Sequence, residues 1–152
     1  MKTIVKTAAL SALLVGCGSP PLTIPDDFVV LDDDYADYDV RATNAHGAVL
    51  AVREIDNDVE GNLSFWVDAV KNKLRNQGGY ALLEEADVNA ASGHAGHQLR
   101  FGRDQNGQAY QYWVTLFVTP DTVWVVEAGG RGEVWTDAQA RVEQAITTLS
   151  LE

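Results

Sequence analysis

The sequence has 152 residues, 46% of them hydrophobic, with 11 basic against 22 acidic side chains and a formal net charge of −11. That length is enough for one packed core, while the acidic balance repels phosphate backbones and argues against nucleic acid as a partner. A single cysteine excludes an internal disulfide, so the fold has to be stable through its core alone.

The chain opens with "MKTIVK", two lysines and no acid, continues with the apolar "TAALSALLVG", and meets Cys17 after Leu14, Val15 and Gly16. A positive start, a short apolar run and a small-residue cleavage site describe a secretory signal over residues 1–16. The apolar run is well short of the ~20 residues that a membrane-spanning helix needs. "LVGC" also resembles the lipobox of bacterial lipoproteins. The resemblance implies that Cys17 is the lipid-attachment residue, acylated through its thiol and left as the first residue of the mature chain. It also implies a cell-envelope protein held on a membrane by its lipid. Gly18, where an Asp would resemble an inner-membrane retention signal, favours the periplasmic face of the outer membrane. Each buried methylene of such an anchor contributes ~0.8 kcal/mol, and several chains together hold firmly. Loss of Lys2 and Lys6 with the signal makes the mature chain more acidic still, a surface suited to solubility and to basic peptides or cations.

Residues 17–25, with "GSPPLTIP" after the cysteine, read as a flexible tether, and residues 26–152 as one globular domain. "DFVVL" suits a strand. "YDVRATNA" and "GAVLAVREI" form a hairpin about Asn44 to Gly47. In "NLSFWVDAVKNKLRNQGG", Leu63, Trp66, Val67, Val70 and Leu74 follow helical spacing, with Asn62 or Ser64 to cap the start and Gly78 the end. "YALLEEADV" predicts a strand, and "HQLRFGRD", "AYQYWVTLFV" and "TVWVVEA" predict a meander turning at Asn106-Gly107 and Pro120-Asp121. In the middle strand of that meander Tyr110, Tyr112, Val114, Leu116 and Val118 face one way, and Trp113 and Phe117 the other, so both sheet faces need cover. A closing helix opens at Thr136, with Gln139 in capping-box spacing, and carries the stripe Ala138, Val142, Ala145, Ile146 and Leu149. The expected class is α+β, an antiparallel sheet with helices on both faces in an α/β/α sandwich.

That element order, with "FW" in the first helix, resembles the PsbP-like fold of an extrinsic photosystem subunit and of small bacterial lipoproteins. The resemblance covers most of residues 24–151. It implies a non-catalytic accessory or assembly role and brings no catalytic motif.

Several stretches invite a functional reading. Asp56, Asp58, Glu60 and Gly61 match positions 1, 3, 5 and 6 of a calcium loop, but Val67 stands where a bidentate Glu is needed and Asp68 comes one residue late. The plainer alternative is an acidic turn before a helix. Asp32, Asp33, Asp34, Asp37 and Asp39 put five carboxylates into eight residues, a pattern that also describes a solvated loop. His94 and His97, with His46 elsewhere, are too few for a structural zinc site. Ser64 lacks a nucleophile-elbow setting. Glu84 and Glu85 alternate across a strand and make poor acid–base partners. "EAGGRGE", with Arg131, suggests an anion site or a glycine-rich exit from the last strand. Trp66, Trp113, Trp124 and Trp135 read as core. The expectation is therefore a lipid-anchored envelope protein acting as a binding or assembly accessory, with no catalytic residues, no metal site and no cofactor. Its partners are the membrane through Cys17 and an envelope protein. A calcium-responsive module is the first alternative and a small hydrolase the second.

Overall fold

The computed structural model describes residues 20–32 and 37–151. The elements run β1 (Phe28–Val30), β2 (Val40–Asn44), β3 (Val49–Asp56), α1 (Leu63–Asn76), β4 (Ala81–Asn89), β5 (Ala95–Gln105), β6 (Gln108–Val118), β7 (Thr122–Arg131) and α2 (Gly132–Thr147). They form one seven-stranded sheet in the order β1-β2-β3-β7-β6-β5-β4, and every neighbouring pair is antiparallel. The chain builds β1 to β3, crosses through α1 to the far edge, and returns by a meander whose last strand pairs with β3.

The turns are where the sequence places them. Asn106 (φ 53°) and Gly107 (φ 77°) take the left-handed pair of angles that a two-residue hairpin between β5 and β6 requires. Between β2 and β3, the Asn44 side-chain oxygen accepts from the backbone N–H groups of His46 and Ala48 at 3.1 and 3.0 Å. At the α1 start, Asn62 accepts from Phe65 N–H at 2.9 Å, satisfying one of the helix's free donors.

Alternation on the strands produces two cores. On one face Leu99 and Phe101 of β5, Val114 and Leu116 of β6, and Val123 and Val125 of β7 pack beneath Val67, Trp66, Val70 and Leu74 of α1. On the other, Leu50 and Val52, Trp113 and Phe117, and Trp124 and Val126 pack beneath Trp135, Ala138, Val142 and Ile146 of α2. The Trp113 and Trp135 rings meet edge to face at 4.9 Å between centroids. The sandwich read from the two-faced middle strand is the fold observed.

Three boundaries differ from the sequence reading. α2 begins at Gly132, so Thr136 lies inside the helix and its hydroxyl donates to Gly132 O at 3.2 Å in place of capping. The cause is β7: it stays paired with β6 through Arg131, opposite Tyr110, and runs directly into the helix. At the end of α1 the left-handed residue is Gly79 (φ 67°), not Gly78, and Tyr80 N–H closes onto Leu74 O at 3.2 Å. The domain also takes in residues 21–24, at the end of the stretch expected to be a tether. Leu22 is buried and Ile24 packs on the α2 core, while Thr23 N–H donates to the Thr148 hydroxyl at 2.8 Å and Ser150 N–H to Pro21 O at 2.9 Å. The apolar side chains of "PLTIP" find uncovered core surface and take it.

Gly129 sits where a Cβ would fall far inside contact distance of the Gln111 carbonyl oxygen, whereas at Gly130 the nearest atom, Ala48 Cα, stands 3.4 Å away. Gly129→Ala is expected to destabilise the fold by about 1–3 kcal/mol, as overpacking does, and Gly130→Ala by clearly less. Urea denaturation of the two variants against the parent measures this.

Candidate functional site

A helix is about 10 Å wide and strands lie about 4.8 Å apart, so α1, lying over β4, β5 and β6, leaves part of its face bare. The bare part is a cleft of about 590 Å³ over β2, β3, β7 and the ends of β5 and β6. Four of the chain's five tyrosines line it: Tyr38, Tyr80, Tyr110 and Tyr112. So do Arg41, Arg103 and Arg131, together with Glu127, the one acid among the described lining residues. Tyr110 and Tyr112 reach the same face because they are two apart on β6, and Glu127 and Arg131 do so as alternate positions of β7.

Glu127 is the electrostatic centre. Its carboxylate accepts a hydrogen bond from the Tyr112 hydroxyl and forms an ion pair with Arg53, Nε to Oε2 at 3.2 Å. The Arg53 guanidinium also lies 5.7 Å from the centre of the Tyr38 ring. Burial first, and the Glu127 charge second, push the Tyr112 hydroxyl well above the ordinary tyrosine range, and the same causes raise Tyr38. A hydroxyl held protonated in this way is a hydrogen-bond donor, not a nucleophile or base near neutral pH. Tyr80 extends the aromatic wall, its ring 5.3 Å from Tyr112 and with the Arg103 guanidinium 5.5 Å from its centre. The arrangement offers flat aromatic surface, cationic donors and a fixed carboxylate.

The residues singled out from the sequence lie elsewhere, except Arg131 and Glu127. The Asp56–Glu60 turn is organised by buried Asn57, whose amide donates to Gly61 O and Thr119 O at 3.0 and 3.1 Å and whose oxygen accepts from Gly61 N–H and the Trp66 indole at 2.9 Å each. Asp56, Asp58 and Glu60 point to solvent around that hub. Asp33 and Asp34 lie outside the described residues; among those described, no group of three or more His, Cys, Asp or Glu gathers to hold a metal ion.

His97 lies on β5, and its Nδ1 sits 2.8 Å from Asp87, while His94 bonds Ser92 at 3.0 Å and His46 is exposed in the β2–β3 turn. Glu84 and Glu85 do part to opposite faces: Glu84 meets Arg100 at 3.1 Å, and Glu85 meets Lys71 of α1 at 2.6 Å. Ser64 is exposed in the first turn of α1. Trp113, Trp124 and Trp135 are core, and Trp66 is half-buried on α1. Cys17 lies outside the described residues. Arg41, Arg53, Arg103 and the tyrosines were missed because they converge only once strand register is known.

No protein-family model matches the sequence, and no curated protein is similar to it. Solved structures do share the architecture. Cyanobacterial PsbP (CyanoP) from Synechocystis aligns over 85% of this chain and 84% of its own at a TM-score of 0.60, with 11% identity. The domain has the PsbP-like fold. Two further PsbP-like matches are LpqN of Mycobacterium tuberculosis, described as involved in cell envelope biogenesis (TM-score 0.62, 14% identity, 83% of this chain and 78% of that one), and PA94 of Pseudomonas aeruginosa, of unknown function (TM-score 0.61, 15% identity, 82% and 81%). At these identities the likeness is one of fold.

Removing the Tyr112 hydroxyl tests the centre of the cleft. Tyr112→Phe is expected to cost about 2 kcal/mol near neutral pH, the range for a hydrogen bond to a charged group. Because the folded-state pKa is raised, the native state keeps a proton that the unfolded state releases above its ordinary value near 10, so this stabilisation is present below that pH and fades above it. The gap between parent and variant in urea denaturation is therefore constant up to about pH 9 and narrows above about pH 10.

Proposed function

We propose that this is a lipid-anchored cell-envelope protein that works by binding, as an accessory to the assembly or maintenance of the envelope, and not by catalysis. The observation that carries this reading is the cleft. Its side chains are suited to holding a ligand, and its carboxylate is fixed in place by Arg53 and Tyr112. The PsbP-like fold, shared with an envelope-biogenesis protein, supports the same role. The "LVGC" pattern supports attachment through a lipid on Cys17, and among the described residues no helix is long and apolar enough to cross a membrane.

In this reading residues 1–16 are removed, Cys17 carries the acyl chains, and the domain stands at the periplasmic face of the outer membrane. Confinement there raises its effective concentration toward neighbouring envelope components, an envelope protein partner among them. Metabolic labelling with a palmitate analogue, followed by membrane fractionation, tests the anchor. The parent is expected to be labelled and to sediment with membranes, and Cys17→Ser to be unlabelled and released in soluble form. A labelled Cys17→Ser protein, or an unlabelled parent, would overturn it.

A further inference from the structure

The distribution of positive charge says what the cleft holds. Seven arginines are spread through an acidic chain, and four of them, Arg41, Arg53, Arg103 and Arg131, stand at this one place. Elsewhere among the described residues, Arg100 is matched by Glu84 and Glu143, Arg141 by Asp27, and Lys71 by Glu85. Lys73 and Arg75 lie in the last turn of α1, where the helix dipole favours them.

For Arg103 and Arg131 the balance is different. Glu127 is engaged by Arg53, and the contacts seen for Arg103 and Arg131 are neutral, the Tyr80 ring and a 3.5 Å approach to Gln108. Strand register places these two together. Arg103 of β5 pairs with Tyr110 of β6, and Tyr110 pairs with Arg131 of β7, so one rung across three strands reads Arg-Tyr-Arg on one face. Two strand spacings separate the arginine backbones by roughly 10 Å, within reach of two long side chains converging over a central ring. The next rung is Phe101, Tyr112 and Gly129, of which Tyr112 and Gly129 line the hollow.

We propose that the cleft binds a phosphorylated, sugar-sized ligand, its phosphate bridged by Arg103 and Arg131 and its ring lying against Tyr110 and Tyr112. Guanidinium groups match phosphate oxygens in paired hydrogen bonds, and tyrosine supplies flat surface with a polar edge. A cleft of about 590 Å³ suits a ring-sized ligand. The acidic balance of the whole chain had pointed to basic partners; the cleft reverses that expectation locally. The inference rests on reading the domain as a binding module and adds the class of ligand. The same group could arrive as a free sugar phosphate or as the headgroup of an anionic lipid.

Isothermal titration calorimetry at low salt tests it with glucose 6-phosphate, glucose and inorganic phosphate, and flotation with phosphatidylcholine vesicles with and without phosphatidylinositol covers the lipid form. Glucose 6-phosphate or phosphatidylinositol vesicles are expected to bind at least about tenfold tighter than glucose or pure phosphatidylcholine, and added salt to weaken that binding. Which of the two binds identifies the source. Arg103→Gln and Arg131→Gln, both at exposed positions, should each lose about tenfold with an unchanged thermal midpoint. Tyr110→Ala should weaken glucose 6-phosphate more than inorganic phosphate. Equal affinity for glucose and glucose 6-phosphate, silence toward every probe, or arginine variants that bind like the parent would each overturn the proposal. Silence with palmitate labelling intact sinks the ligand class alone; binding by a protein that is never acylated sinks the anchor alone.

Discussion

A sheet with two apolar faces needs two covers, and neither helix is wide enough to supply one. Seven strands span roughly 29 Å, against about 10 Å for a helix. β6 and β7 are buried on both sides, Trp113 and Phe117 turned to α2, Val114 and Leu116 to α1. On the α2 side the segment carrying Leu22 and Ile24 extends the cover. On the α1 side nothing among the described residues does so beyond the helix, and the cleft is the remainder.

The edge of the α1 footprint runs diagonally across four strands, one rung further along on each from β3 through β7 and β6 to β5. On β7 the face runs Val123 and Val125, then Glu127, Gly129 and Arg131; on β6, Leu116 and Val114, then Tyr112 and Tyr110; on β5, Leu99 and Phe101, then Arg103; on β3, Ile55, then Arg53 and Ala51. Apolar positions lie under the helix and polar or aromatic ones beyond it. A charge such as Glu127, with its side chain only 13% exposed, is tolerated there because Arg53 and Tyr112 meet it. The Arg100 cluster on the opposite face is built alike, with the guanidinium 4.0 Å from the centre of the Trp113 ring and hydrogen-bonded to Gln98, Glu84 and Glu143. That arginine spends its donors on the fold.

Much of this architecture was legible from residues alone, for local reasons. Asn106-Gly107 dictates its hairpin, Asn62 caps its helix, and the two-sided pattern of β6 requires helices on both faces. What escaped reading depended on partners distant in sequence. The start of α2 was misplaced because β6 holds Gly129 and Gly130 in β7, although glycines in isolation suggest a loop. Leu22 looked like part of a tether until Leu149 and Leu151 supplied a core for it. The cleft was hidden most deeply. Arg103, Tyr110 and Arg131 are unremarkable in their own strands and become one surface only through two registers.

The pairing of β3 with β7 joins the earliest-made part of the sheet to its last strand, and side chains of α2 share one core with those of β1–β3. A growing chain on the ribosome therefore carries its first three strands as unfinished surface until the segment around Leu149 has been made. The sheet therefore closes only after α2 has been made, and until then the first three strands stay accessible to whatever engages an unfolded chain.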